Sequence, residues 1–249
     1  MGVPARTSSL RDNMKALVQY AQRRPVRSVL SLLLTVLFLE YLSLPNFQLL
    51  ELEKNNPHKT ALMTQREEEA KSEGKQFSIQ NKWVPISRIS PALVHAVVVA
   101  EDGTFYEHEG VDWYEVEESL EQNLERGKSM RGASTISQQL AKNLFLSTSR
   151  DPLRKAKELI ITLRMERMLS KQRILEIYLN VIEWGNGVFG AEAAARKYFG
   201  KSAADVTREE AALLAAVIPS PLRHQPNQPS QYVLRRSSII LERMIARGY

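Results

Sequence analysis

Glu101 and Asp102 follow the apolar run Ala96-Val97-Val98-Val99-Ala100 and lead into Gly103, Phe105, His108 and Gly110. Adjacent carboxylates at the end of an apolar helix sit where burial raises a carboxyl pKa, as a general base working near neutral pH requires. A solvated helix end is the bland alternative. A second constellation runs from Gly132 through Ser134, Thr135, Ile136, Gln138, Gln139 and Lys142 to Asn143. Wound as a helix, Ile136, Leu140 and Leu144 share one stripe, while Ser134, Thr135, Gln138, Gln139 and Lys142 gather on another. Amides and hydroxyls in that density, with one cation, suit a hydroxyl-rich or phosphorylated ligand; an ordinary polar helix face is the other reading. Further on, Arg150, Arg154 and Glu158 recur every four residues, with Lys155 beside them. Two guanidiniums then lead along one face toward a carboxylate, either as a phosphate clamp beside a second acid or as a plain ion pair.

Helices must position these groups. Ser90 and Pro91 have the types of an N-cap and a first helical residue, opening a helix through Leu93, Ala96, Val97 and Ala100. The helical period predicts further helices over 134–145, 153–169, 171–179, 191–198, 208–217 and 232–246. Thr207-Arg208-Glu209-Glu210 is a capping box, and Pro219 and Pro221 stop the helix it starts. The fold class is mainly α, with only the alternating patch Phe77-Ser78-Ile79-Gln80 as strand material.

The 249 residues carry a formal charge of +6, no cysteine and four histidines. Residues 1–27 hold six basic side chains against Asp12 alone, so the rest is nearly neutral and has no broad footprint for nucleic acid. Without cysteine there is no thiol catalysis, Cys-ligated zinc or disulfide. His108 has no second histidine at ligand spacing, so a histidine-built metal site is not expected. The basic tail precedes an apolar run over 28–44 that Pro45 ends, long enough as a helix for a membrane anchor. Basic residues on the N-terminal flank predict a cytoplasmic N-terminus and a body on the far side. No small-x-small cleavage site follows the run. The expected organisation is a basic cytoplasmic tail over 1–27, a transmembrane signal-anchor over 28–44, a charged spacer over 45–76 and a main domain over 77–249.

Four motifs in this order resemble the family 51 peptidoglycan glycosyltransferases in their monofunctional, membrane-anchored form: Glu101-Asp102-x-x-Phe105-x-x-His108-x-Gly110; Gly132-x-Ser134-Thr135-Ile136-x-Gln138-Gln139-x-x-Lys142-Asn143; Arg154-Lys155-x-x-Glu158; and Lys171-x-x-Ile174-Leu175-Glu176-x-Tyr178-Leu179-Asn180. The resemblance spans about residues 83–226. It implies a lysozyme-like helical lobe with a small membrane-facing jaw over about 111–131, preceded by a single transmembrane helix in a bacterial inner membrane. The activity it implies is polymerisation of lipid II into glycan strands by inverting β-1,4 transfer, with release of polyprenyl diphosphate.

By the same resemblance Glu101 is the general base, and Lys142, Arg150, Arg154 and Lys155 neutralise the diphosphate. Ser134, Gln138, Gln139 and Asn143 bind substrate, while Asp102, Phe105, His108 and Gly110 shape the loop. Glu158 would orient the cations, hold a divalent metal such as Mg2+ or assist the leaving group. No cofactor is required. Expected partners are lipid II, the growing strand, the bilayer and cell-wall synthesis and division proteins. A lysozyme-like hydrolase or lytic transglycosylase is the near rival, and a non-catalytic cell-wall scaffold the distant one. The cationic row argues against the hydrolase, which has no diphosphate to clamp.

Overall fold

The computed structural model describes residues 13–15, 19, 24–126, 134–149 and 151–249, with backbone alone at 37, 120 and 122–126. Most of the basic tail, the 127–131 end of the expected jaw, and Arg150 lie outside the described residues. The chain divides into two compact units, Met1–Leu44 and Pro45–Tyr249.

In the first unit the apolar run forms α1 (Pro25–Leu42), with proline in its first turn. Its 18 residues extend about 27 Å at the α-helical rise, close to the hydrocarbon thickness of a bilayer. Leu30, Leu32, Leu33, Leu34 and Phe38 are all exposed on it. Thr35 Oγ1 donates to Ser31 O at 2.9 Å, so that hydroxyl is satisfied within the helix. Among the described residues this is the one helix long and apolar enough to cross a membrane.

The second unit is helical around a small sheet. The charge-dense stretch 45–76 is folded into it. There α2 (Asn46–Glu51) and α3 (Ala61–Ser72) bury Leu49, Leu62 and Met63. Arg173 Nε donates to Leu52 O and its Nη2 to Asn55 O, both at 2.9 Å, which ties the chain after α2 to the lobe. On α3, Arg66 forms an ion pair with the buried Glu183 at 2.9 Å, and Leu62 and Met63 pack on Phe189. The segment looks solvated in sequence because these few apolar residues are interleaved with charges that themselves find partners.

β1 (Gln80–Asn81) is short, beginning where the alternating patch ends. It is followed by α4 (Pro91–Glu101), which buries Leu93, Ala96, Val97, Val98 and Val99. Three consecutive valines are tolerated in this helix because the surrounding helices bury them, and burial outweighs a weak propensity. Ser90 occupies the N-cap position but does not cap; its Oγ donates to Val206 O at 2.8 Å, anchoring the start of α4 to a distant loop. α5 (Trp113–Arg126) lies in the expected jaw and leaves Trp113 and Tyr114 exposed.

α6 (Ile136–Phe145) starts at Ile136 because Thr135, not a residue before Ser134, is its cap. α7 (Pro152–Met168) is capped by Asp151, and α8 (Lys171–Val181) by Ser170. β2 (Glu183–Gly185) and β3 (Val188–Phe189) complete a sheet ordered β1-β3-β2, with β1 parallel and β2 antiparallel to β3. Asn180 ties α8 to β1 and the chain after it: its O accepts from Asn81 Nδ2, its Oδ1 accepts from Val84 N, and its Nδ2 donates to Val84 O and Glu176 O. α9 (Ala191–Phe199), α10 (Arg208–Val217) and α11 (Gln231–Ala246) follow. Thr207 and Glu210 form the expected capping box on α10. Helices α10 and α11 pack on α4 and on each other, while α6 packs on α7 and α8. The end of α4, with Glu101, is thereby enclosed.

Candidate active site

Glu101 is the last residue of α4, and its side chain is only 9% exposed. Both carboxylate oxygens are engaged: Gln139 Nε2 donates to Oε2 at 2.9 Å, and Arg236 Nη2 lies 3.1 Å from Oε1. Burial dominates its titration and pushes the carboxyl above the ordinary glutamate range, while Gln139, Arg236 and Lys142 pull it back down. The outcome is a carboxylate more basic than usual, with two hydrogen-bond donors and the nearby Lys142 charge favouring its ionised form, the condition of a usable general base.

Gln139 is itself oriented. Tyr178 Oη donates to Gln139 Oε1 at 2.9 Å, which leaves the amide nitrogen pointing at Glu101. Tyr178 is fully buried, and burial, then the charges of Glu101 and Asp102, push its phenol well above its usual range, so it stays a donor. Tyr178 belongs to the fourth motif, yet its sequence carries no sign of this role.

The loop after Glu101 is clasped to the start of α6. Asp102 Oδ2 accepts from Ile136 N and its Oδ1 from His108 Nε2, both at 2.9 Å. His108 Nδ1 accepts Gly110 N–H at 3.0 Å, which fixes the ring proton on Nε2. Thr135 Oγ1 donates to Gly110 O at 2.7 Å. Gly110 has φ +93°, and a Cβ there would meet Thr162 Cγ2 at 2.8 Å and Glu166 Cγ at 2.9 Å. Phe105 is fully buried, with the Lys171 ammonium 4.6 Å from its ring centre.

A cleft of about 920 Å3 opens beside Glu101 and is lined also by Ser134, Gln139, Lys142 and Arg236. Lys142, one turn beyond Gln139 on α6, is largely buried; burial lowers its pKa, opposed chiefly by Glu158 and also by Glu101. The ammonium thus feels both carboxylates. Glu158, 3% exposed, pairs with Arg154 at 2.5 Å and with Lys155, whose Nζ also reaches Ser134 Oγ at 3.4 Å. With a guanidinium on one oxygen and an ammonium on the other, Glu158 is poorly suited to ligate a divalent cation. Among the described residues no group of three or more His, Asp or Glu side chains is arranged for a metal.

Not every expected binding residue faces this cleft with free polar atoms. Gln138 is buried and forms the capping box of α6, its Oε1 accepting from Thr135 N. Asn143 is buried on the same helix, and Arg150 lies outside the described residues. Sequence reading missed Arg236 altogether. The only hint is the Arg235-Arg236 doublet on an amphipathic helix, a pattern that reads as solvated surface.

A family model described as Transglycosylase matches residues 67–245. Among curated relatives, the biosynthetic peptidoglycan transglycosylase of Nitrosospira multiformis is 50% identical over 189 residues, covering 76% of this chain and 82% of the relative. The protein of the same description from Dechloromonas aromatica is 48% identical over 191 residues, 77% of this chain and 83% of the relative. That from Aromatoleum aromaticum is 49% identical over 170 residues, 68% and 74% of the two chains. A helical lobe with a buried glutamate in one cleft with the Lys142 ammonium, and a match over most of its length, agree: the chain belongs to the transglycosylase family.

Proposed function

We propose that the protein polymerises peptidoglycan glycan strands from lipid II, joining a growing donor to the 4-hydroxyl of the next disaccharide. The observation that carries this reading is Glu101, a buried and activated carboxylate in the same cleft as the Lys142 ammonium. In the reaction the acceptor hydroxyl gives its proton to Glu101 as its oxygen attacks the anomeric carbon of the donor. The bond from that carbon to the diphosphate oxygen breaks, and the electron pair leaves with the polyprenyl diphosphate. A single displacement inverts an α-linked donor to a β-1,4 product. The leaving group is already anionic and weakly basic, so cations serve it better than a proton donor.

Lys142, Lys155 and Arg154 are the cations for that side, with Arg150 the fourth expected from sequence. Glu158 holds Arg154 and Lys155 in place, Ser134 offers a hydroxyl at the cleft, and Asp102, Phe105, His108 and Gly110 keep the Glu101 turn in register with α6. The apolar α1 serves as a single-pass anchor in a cytoplasmic membrane, its N-terminus inside and the lobe outside. Tethering brings the site to substrates that carry polyprenyl tails and raises their effective concentration.

Incubation of the full chain with lipid II, followed by sizing of the products, tests the reading. Long glycan strands are expected. Shortening of added peptidoglycan without strand growth would reassign the site to a hydrolase.

A further inference from the structure

Arg236, Arg243 and Arg247 of the C-terminal segment all line the Glu101 cleft, as does Tyr232. Their spacing, i, i+4, i+11 and i+15 counted from Tyr232, places them along one face of α11 and its immediate extension. Arg236 Nη2 is directed at Glu101 and the Ala100 carbonyl, while its buried Nε has no hydrogen-bond partner. Arg247 Nη1 donates to Gly103 O at 2.6 Å, and its guanidinium approaches so closely that a Cβ on Gly103 would meet Nη2 at 2.8 Å. Gly103 has no positive φ, so its backbone conformation alone does not require glycine there. Among the described residues the Arg243 side chain has neither a hydrogen-bond nor an ion-pair partner, and no carboxylate pairs with Arg247.

We propose that Arg243 and Arg247 form a second anion subsite, which binds an anionic group of the acceptor substrate. The proposal rests on the reading of the site as a lipid II polymerase. The cations assigned to the donor diphosphate stand on α6 and α7, whereas these arginines stand on α11, and Glu101 contacts both sets of helices through Gln139 and Arg236. An acceptor whose hydroxyl points at Glu101 extends away from the donor, along α11. From Arg236 to Arg243 the helix rises about 10 Å. That is the scale of a disaccharide, from its 4-hydroxyl to the anomeric end that carries the diphosphate. Guanidiniums suit phosphate and carboxylate alike through paired N–H donors. Asp112 and Glu115 also line the cleft, so an anion is steered toward the arginine face.

The test measures initial rates of the full-length chain in detergent against lipid II concentration. The exposed Arg243 side chain makes no bond among the described residues, so Arg243→Ala and Arg243→Glu should melt like the wild type. Arg243→Ala should raise KM roughly tenfold with kcat little changed, as for loss of a charge-assisted contact. Arg243→Glu should do more, and Arg243→Lys should recover part of the loss. An unchanged KM in Arg243→Glu, with the wild type active, overturns the subsite and leaves the polymerase reading intact. Failure of the wild type to polymerise lipid II removes both. A lipid-linked disaccharide diphosphate without its peptide separates the two sources of anion: if the Arg243→Ala defect persists, the diphosphate is bound; if it disappears, the peptide carboxylates are.

Discussion

Tyr178 Oη donates to the amide oxygen of Gln139 at 2.9 Å, and that single bond decides which end of the amide faces Glu101. With the oxygen occupied, the nitrogen donates to the carboxylate. Were the amide reversed, two acceptors would face each other in a buried site, at a cost of about 1–3 kcal/mol. Tyr178→Phe should therefore preserve the ring packing while lowering kcat/KM by roughly tenfold. An unchanged kcat/KM in a well-folded Tyr178→Phe protein would remove Tyr178 from the orientation of the base.

The ion pair between Arg236 and Glu101 predicts a pH effect. Arg236 lowers the Glu101 pKa that burial raises, so Arg236→Ala should raise it further. Polymerisation needs the ionised base. The acid limb of kcat/KM against pH should move to higher pH in Arg236→Ala, and a limb that stays in place or moves down would separate Arg236 from the base.

A buried, raised carboxyl also costs stability when charged. The contribution of Glu101 is complete below the ordinary glutamate value of 4.5 and is lost as pH rises through its higher folded value. Glu101→Gln removes that loss. Its Tm should exceed that of the wild type at about pH 8, and the gap should close as the pH falls toward the ordinary carboxylate range. The same variant should make no glycan polymer. A wild type that is the more stable form at pH 8 would contradict the burial argument, even if activity is lost.

Glu158 sits between Arg154 and Lys155, and orientation of these cations predicts non-additivity. Glu158→Gln and Arg154→Ala should each reduce polymerisation, but the double variant should lose less than the product of the two. Coupling of about 0.5–3 kcal/mol is expected for residues in one network. Strictly multiplicative losses would mean that Glu158 acts on the substrate independently of Arg154.

Sequence alone determined the features set within about four residues. Helix starts were legible where capping chemistry is local, as in the Thr207 and Glu210 box. The long apolar helix followed from an apolar run bounded by Pro25 and Pro45, and the place of Glu101 at a helix end from the valines before it. Local rules also misled: Ser90 has the type of a cap, yet its hydroxyl is used by Val206, 116 residues away. Gln138 and Gln139 look equivalent in sequence, but a 100° step around α6 sends one into a capping box and the other to the base. The tertiary structure decided everything that depends on which helices meet. Arg236 reaches Glu101 across 135 residues, and Tyr178 reaches Gln139 across 39, because α11 packs on α4 and α8 on α6. A carboxylate's basicity is set by what surrounds it in space, and helical periodicity fixes only the direction in which it points.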